Sequence, residues 1–341
     1  MAGCFSKDFP PNHGLNLPSR TRASLVRILL ETGIALTPAE SVFSPAAWFA
    51  VLRYWEAFSP RSLRLRLVPS SDEWDPRLVT ILAEELAVGV ANYLAREYLG
   101  VIHVADVAPL LHAGDLRIKN PPFSPKHPGA RPDFLGVLSN DQAIVFEAKG
   151  AVGTRSRLTK PLQKGHIQVR NVDFVAYQPR TIGGAPACDR MVFGTHFCTE
   201  GKHPLSETTT VVLDPPGDAP EDRRRLESDL AVRVAYAKIM NLADLSLIAR
   251  NIVLRRGDEG LDDLPLVETG NLRLRLLGLF PWGVLVLDDG VAQALRTAGN
   301  DLRDPVSEAL RVFQPREREV RADEDRDLIL LNNGVGLWRK E

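Results

Sequence analysis

"RPDFLGVLSNDQAIVFEAKG", residues 131–150, holds two short apolar runs joined by a polar turn, and each run carries charge where a core strand should have none. Residues two apart on a strand share a face, so Val145, Glu147 and Lys149 point one way while Phe146 and Ala148 point the other. If the turn is centred on Asn140 and Asp141, antiparallel pairing opposes residues whose numbers sum to about 280 or 281. That register sets Asp133 across from Glu147 or its neighbour. Two carboxylates and one ammonium then converge at one end of a hairpin, with strands predicted at about 133–138 and 142–149.

Carboxylates brought that close repel one another unless a cation sits between them, and hard oxygen ligands suit Mg²⁺ or Mn²⁺. Such an ion lowers the pKa of a bound water and neutralises charge on a phosphoryl oxygen, while Lys149 can orient the nucleophile or stabilise the transition state. The set suits phosphodiester hydrolysis.

Pro132-Asp133, a strand, a turn and Glu147-Ala148-Lys149 resemble the signature of the PD-(D/E)XK phosphodiesterase superfamily. The resemblance implies an α/β protein with a restriction-endonuclease-like core, a central mixed sheet flanked by helices. It covers the order of elements from about 76 to 214. It also implies a Mg²⁺ or Mn²⁺ site on Asp133, Glu147 and the Ala148 carbonyl, Lys149 assisting attack by water, and cleavage that leaves a 5′-phosphate. A bare acid-x-Lys triplet is weak, since 43 acids and 9 lysines in 341 residues give about one by chance. Glu200-Gly201-Lys202 is such a decoy, in a stretch that reads as a loop with no Asp-bearing strand before it.

Members of this superfamily add an acid from the preceding helix and a Gln or base from the following one. In "PRLVTILAEELAVGVANYLAREYL", residues 76–99, Asp75-Pro76 and Gly100 are start and stop signals. At about 100° per residue Glu84 falls among Ala87, Ala91 and Ala95 while Glu85 faces solvent, so Glu84 is the expected third ligand. Gln168, in the helix expected within "RLTKPLQKGHIQVRNVDF", is the expected downstream partner.

Between 111 and 170 ten basic residues meet four acidic ones, in a chain of formal charge -1. Bulk charge gives no pull toward nucleic acid or anionic membrane, so a nucleic-acid partner must be held by this local patch. Lys119, Lys126, Arg131, Arg155, Arg157, Lys160 and Lys164 are its expected contacts. Cys188, His196, Cys198 and His203 match no zinc spacing, and Gly-rich nucleotide, G-x-S-x-G and H-E-x-x-H motifs are absent from the sequence.

The 341 residues, 44% hydrophobic and 25% charged, fit roughly two domains with real cores. Residues 1–70 read as an N-terminal extension or small lobe with one aromatic-rich helix over 44–58. Residues 71–216 read as the nuclease-like domain, with a loop over 114–130 and strands at 190–197 and in "TTTVVLDPP". Residues 217–341 read as an α+β region for target recognition, dimerisation or partner docking. There a helix is expected over about 219–249, a strand-like 271–287, and helices near 290–298 and 304–313 ahead of the charge run "REREVRADEDRDL". Three cysteines and an N-terminus without an apolar signal region point to a reducing cytoplasm, and "LRLRLLGLFPWGVLVL" is too interrupted to span a bilayer. The expected function is a metal-dependent endonuclease on DNA, in a restriction or antiviral defence setting by analogy. The alternatives are an inactive nucleic-acid-binding scaffold of the same fold and an RNA-specific nuclease.

Overall fold

In the computed structural model the described residues are 23–39, 54–59, 65–118, 131–139, 141–174, 190–201, 207–213, 228–257, 259–280, 283–297, 301–322 and 328–338. The chain is mixed α/β. It runs α1 (Leu25–Leu36), α2 (Pro76–Leu99), β1 (Val101–Asp106), α3 (Val107–Ala113), β2 (Leu116–Ile118), β3 (Phe134–Leu138), β4 (Ala143–Val152), α4 (Thr159–Arg170), β5 (Val172–Phe174), β6 (Arg190–Phe197) and β7 (Thr209–Leu213). There follow α5 (Leu230–Leu242), α6 (Ser246–Val253), β8 (Leu266–Thr269), β9 (Leu272–Phe280), β10 (Gly283–Asp288), α7 (Asp289–Arg296), α8 (Arg303–Ala322), β11 (Leu328–Leu330) and β12 (Val335–Trp338). Contacts divide it into two compact units: Met1–Leu36 with Ala50–Val101 and Asp106–Glu227, and Thr37–Phe49 with Ile102–Ala105 and Ser228–Glu341. The boundary expected near 216 lies outside the described residues.

The larger sheet has the order β1-β3-β4-β6-β7. The hairpin pairs β3 and β4 antiparallel with Phe134 opposite Phe146 and Leu135 opposite Val145, the lower of the two expected registers. Asp141 turns the chain in the left-handed region, φ 59°, which a short polar side chain tolerates. β4 and β6 are parallel and β6 and β7 antiparallel. Parallel neighbours need a crossover, which α4 supplies. Helix α4 starts at Thr159 after a 3-10 turn, placing Pro161 in the first turn, where its missing N–H breaks no hydrogen bond. It ends at Arg170, earlier than expected, because residues 172–174 leave the helix to pair with β2. The expected loop over 114–130 therefore contains a short strand at Leu116–Ile118, and its remainder from 119 lies outside the described residues.

Helix α2 has its expected ends: the Asp75 carboxylate accepts from the Arg77 N–H at 2.7 Å, and Gly100 closes it at φ 72°. By length and composition α2 could cross a membrane, and 61% of its apolar window is buried within this fold. The N-terminal region contributes α1, a helix the sequence reading did not predict, with Ile28, Leu29 and Leu30 buried. Gly89 of α2 permits close crossing, since a Cβ there would lie 1.9 Å from Thr32 Oγ1 and 2.6 Å from the Ile28 carbonyl oxygen. Buried Arg96 pairs with buried Glu31 of α1 at 2.9 Å. Most of the aromatic helix expected over 44–58 lies outside the described residues.

In the second unit the sheet order is β11-β12-β10-β9-β8. The single strand expected over 271–287 is an antiparallel hairpin, β9 with β10. The single helix expected over 219–249 is instead α5 and α6, broken where Asp244 takes φ 63°, and residues 219–227 lie outside the described set. Helix α8 continues to Ala322 and takes in the start of the charge run, beyond the expected end at 313.

Candidate active site

Asp133 immediately precedes β3, so extending the observed register places it across from Glu147 at the open end of the hairpin. Its backbone N–H donates to Glu147 Oε2 at 2.8 Å. Lys149, two residues along β4 on the same face, donates from Nζ to Glu147 Oε1. Glu147 is 0% exposed, the Lys149 side chain 17%, and Asp133 opens to solvent. An anion held entirely away from water is strongly disfavoured. Burial and the neighbouring Asp133 charge accordingly push the Glu147 carboxyl up to about 8, against the pull of Lys149. Asp133 is also raised by the packing around its carboxyl, opposed by Lys149, by a hydrogen bond with Glu147 and by one from the Ala148 backbone. Of the two, Glu147, with no exposure to water, is the carboxyl pushed up the further.

Helix α4 covers this face of β4. A Cβ on Gly165 would lie 2.7 Å from Val192 Cγ1, 3.3 Å from Glu147 Cγ and 3.6 Å from Lys149 Cε. Gly165→Val is therefore expected to lift the helix off the pair, costing about 1–3 kcal/mol by overpacking. A urea-unfolding midpoint equal to the parent's would show that the strand and helix can part freely.

Gln168 is buried on α4, and its Nε2 donates to the Arg131 carbonyl oxygen at 2.7 Å. Its Oε1 has no hydrogen-bond partner among the described residues. The structure thus joins Gln168 to the chain entering Asp133, rather than to Glu147 or Lys149 directly. Glu84 stands differently. A Cβ on Gly150 would lie 1.8 Å from the Ala83 carbonyl oxygen and 2.8 Å from the Glu84 nitrogen, so α2 rests on the face of β4 opposite to Glu147 and Lys149. The Glu84 side chain is exposed and makes no hydrogen bond or ion pair with the three central residues.

Asp106 is the neighbour that sequence reasoning missed. It ends β1, and the next residue, Val107, donates its N–H to the Asp133 carbonyl oxygen at 3.1 Å. The Asp106 charge adds to the upward push on Asp133. An acid closing the run "VIHVAD" was the available signal, but only the adjacency of β1 and β3 gives it meaning.

Arg131 is exposed two residues before Asp133; Arg155 and Arg157 are exposed on the 3-10 turn; Lys160 and Lys164 are exposed on α4; Lys119 and Lys126 lie outside the described residues. The decoy Glu200 accepts a hydrogen bond from Ser59 Oγ, a structural use of that acid. His196 Nδ1 and Cys198 Sγ are 3.7 Å apart, while Cys188 and His203 lie outside the described residues.

No family model, curated protein or solved structure matches the chain. Among the described residues no group of three or more His, Cys, Asp and Glu side chains is arranged to hold a metal ion. Two carboxylates are nevertheless a sufficient protein contribution for Mg²⁺, which keeps water and takes phosphate oxygens for the rest of its octahedron. A divalent cation between Asp133 and Glu147 would also offset the burial and the Asp133 repulsion that push the Glu147 carboxyl up.

Proposed function

We propose that the chain is a metal-dependent phosphodiesterase that cuts nucleic acid, built on a restriction-endonuclease-like core. The observation that carries this reading is the coupled pair Asp133 and Glu147 with Lys149 hydrogen-bonded to it, at the end of one hairpin under α4. The sheet order β1-β3-β4-β6, with α2 before it and α4 crossing between parallel β4 and β6, supports the same reading.

Asp133, Glu147 and the Ala148 carbonyl would hold Mg²⁺ or Mn²⁺. When bound, the ion supplies a nucleophilic water at neutral pH and neutralises charge on the phosphoryl group. The chain's own residues set the geometry. Asp133 N–H fixes one Glu147 oxygen and Lys149 the other, so the carboxylate cannot rotate away. Lys149 keeps enough exposure for its ammonium to reach a scissile phosphate or orient the attacking water. The proton on Glu147 must leave for the cation to bind, so loading should release protons and strengthen with pH.

One observation favours a second reading. Both Glu147 oxygens are already engaged by protein donors, as in a purely structural pair of an inactive scaffold. The deciding experiment incubates the protein with plasmid, linear and single-stranded DNA and with RNA, in Mg²⁺, Mn²⁺ or EDTA, beside Lys149→Ala. Metal-dependent cutting lost in the variant is the expected result. No cutting of any substrate, with no rise in melting temperature in either metal, would leave the structural pair as the better account.

A further inference from the structure

His196 and Cys198 lie two residues apart at the end of β6 and share a face of the extended chain. Both are buried, at 6% exposure each. The His196 Nε2 lies 2.6 Å from the Gly153 carbonyl oxygen. A carbonyl only accepts, so Nε2 carries the ring proton and donates it there. Burial holds the imidazole below its ordinary pKa, which leaves the ring neutral and Nδ1 a bare lone pair. That lone pair faces Cys198 Sγ at 3.7 Å, while the same sulfur lies 3.0 Å from the Glu207 carbonyl oxygen. One thiol proton therefore stands between two acceptors and can satisfy only one of them. The acceptor left over is costly in a buried place unless a cation replaces the proton.

We infer that His196 Nδ1 and Cys198 Sγ are ligands of a thiophilic metal ion of the Zn²⁺ class. The site is separate from the acidic pair: His196 stands beside Ala151 on β4, beyond Glu147 and Lys149. Zinc bonds of about 2.3 Å to sulfur and about 2.0–2.1 Å to nitrogen, at a tetrahedral angle, set the two donors about 3.5 Å apart. The observed separation is within about 0.2 Å of that. A metal-bound imidazole ordinarily gives its other N–H to a carboxylate or a backbone carbonyl, and the Gly153 carbonyl receives it here. A neutral imidazole and a sulfur suit Zn²⁺ where oxygen ligands suit Mg²⁺. Burial pushes the Cys198 thiol up, which disfavours attack by it on an oxidant, whereas a bound cation expels the thiol proton outright. Water and the Glu207 carbonyl oxygen complete the shell, and half-buried Glu207 marks the side nearest solvent. So placed, the ion staples the chain entering β7 to the ends of β4 and β6.

The test titrates the full chain with Co²⁺, a spectroscopic stand-in for Zn²⁺, in a phosphine reductant. Charge-transfer absorption from thiolate to cobalt should rise and saturate, and Zn²⁺, the tighter binder, should remove it. Carboxylates give no such band, so Co²⁺ at Asp133 and Glu147 does not contribute. Cys198→Ser should abolish the band, and His196→Ala should weaken Co²⁺ binding at least about 10-fold. The chain carrying Cys4→Ser and Cys188→Ser, in which Cys198 is the one thiol left, should keep it. That double variant touches neither ligand, so its result stands even where a ligand variant unfolds. No band in the parent, a band that survives Cys198→Ser, or one that vanishes in the double variant overturns the assignment. So does undiminished Co²⁺ affinity in a folded His196→Ala chain.

Discussion

In metal-free buffer at pH 8.5 and above, Glu147→Gln should unfold at higher urea than the parent, and the advantage should vanish toward pH 5. The Glu147 side chain has no contact with water, and its carboxyl titrates near 8 instead of 4.5. The folded protein therefore holds a proton that the unfolded chain releases between those values. Stability from this group is fully present below 4.5 and is lost as pH rises through about 8, because there the unfolded state binds fewer protons. Asp133, also raised, acts in the same direction. Each tenfold gain in proton affinity on folding is worth about 1.4 kcal/mol, so the ceiling is several kcal/mol. Relaxation around the ionised pair brings the expected loss to about 2–4 kcal/mol between pH 5 and 9. Gln keeps the shape but cannot ionise, so its profile should be flat, and its one amide oxygen can accept only one of the two hydrogen bonds. At acid pH, where Glu147 is protonated, the variant lacks only the hydrogen bond that its amide nitrogen cannot accept, worth about 1 kcal/mol, which sets the small deficit expected there. Saturating Mg²⁺ should flatten the parent's profile too. A parent that grows more stable from pH 5 to 9 in EDTA would mean that Glu147 is ionised in the fold.

The hairpin was legible because everything that fixes it lies within 20 residues: alternation on two strands, a polar turn, and a register that turn geometry leaves almost no freedom to change. Helix α2 was legible for a similar reason, with its start at Asp75-Pro76 and its stop at Gly100 written locally. The third acid was not. Glu84 was chosen by its helix face, but which side of β4 that helix covers is settled at Gly150, 66 positions away. Asp106 joins Asp133 only because β1 neighbours β3. Helix α1 was hidden by polar residues in its apolar run. One of them, Glu31, is buried against Arg96, 65 residues on. The ladder of β2 with β5 pairs three-residue strands more than 50 positions apart, too short to show a period. The break between α5 and α6 falls on Asp244, a residue type that does not announce a left-handed backbone as glycine does.

Asp133→Asn should lower metal-dependent cleavage by about 100- to 1000-fold, the usual effect of deleting one charged group from a site that stabilises developing charge, without harming the fold. Asp133 is exposed, its backbone N–H, which Asn keeps, donates to Glu147 Oε2, and the Asn side chain keeps the volume and a polar group facing the Glu147 carboxyl. What it removes is one of the two carboxylates available to a cation. It also removes the charge that helps drive Glu147 upward, so the Glu147 pKa should fall toward its ordinary value. The variant should therefore be more stable than the parent at pH 8.5 in EDTA while losing the rise in melting temperature that Mg²⁺ or Mn²⁺ gives the parent. Lys149→Met predicts the opposite electrostatics. With its ammonium gone, Glu147 holds its proton more firmly, and whatever cleavage remains should require more alkaline pH. Two substitutions that both abolish ordinary activity thus move stability and pH dependence in opposite directions. A misfolded site would lose activity in both without that split. Parent-like cleavage by Asp133→Asn would remove the pair from the chemistry and leave it as a structural hydrogen bond at the mouth of a hairpin.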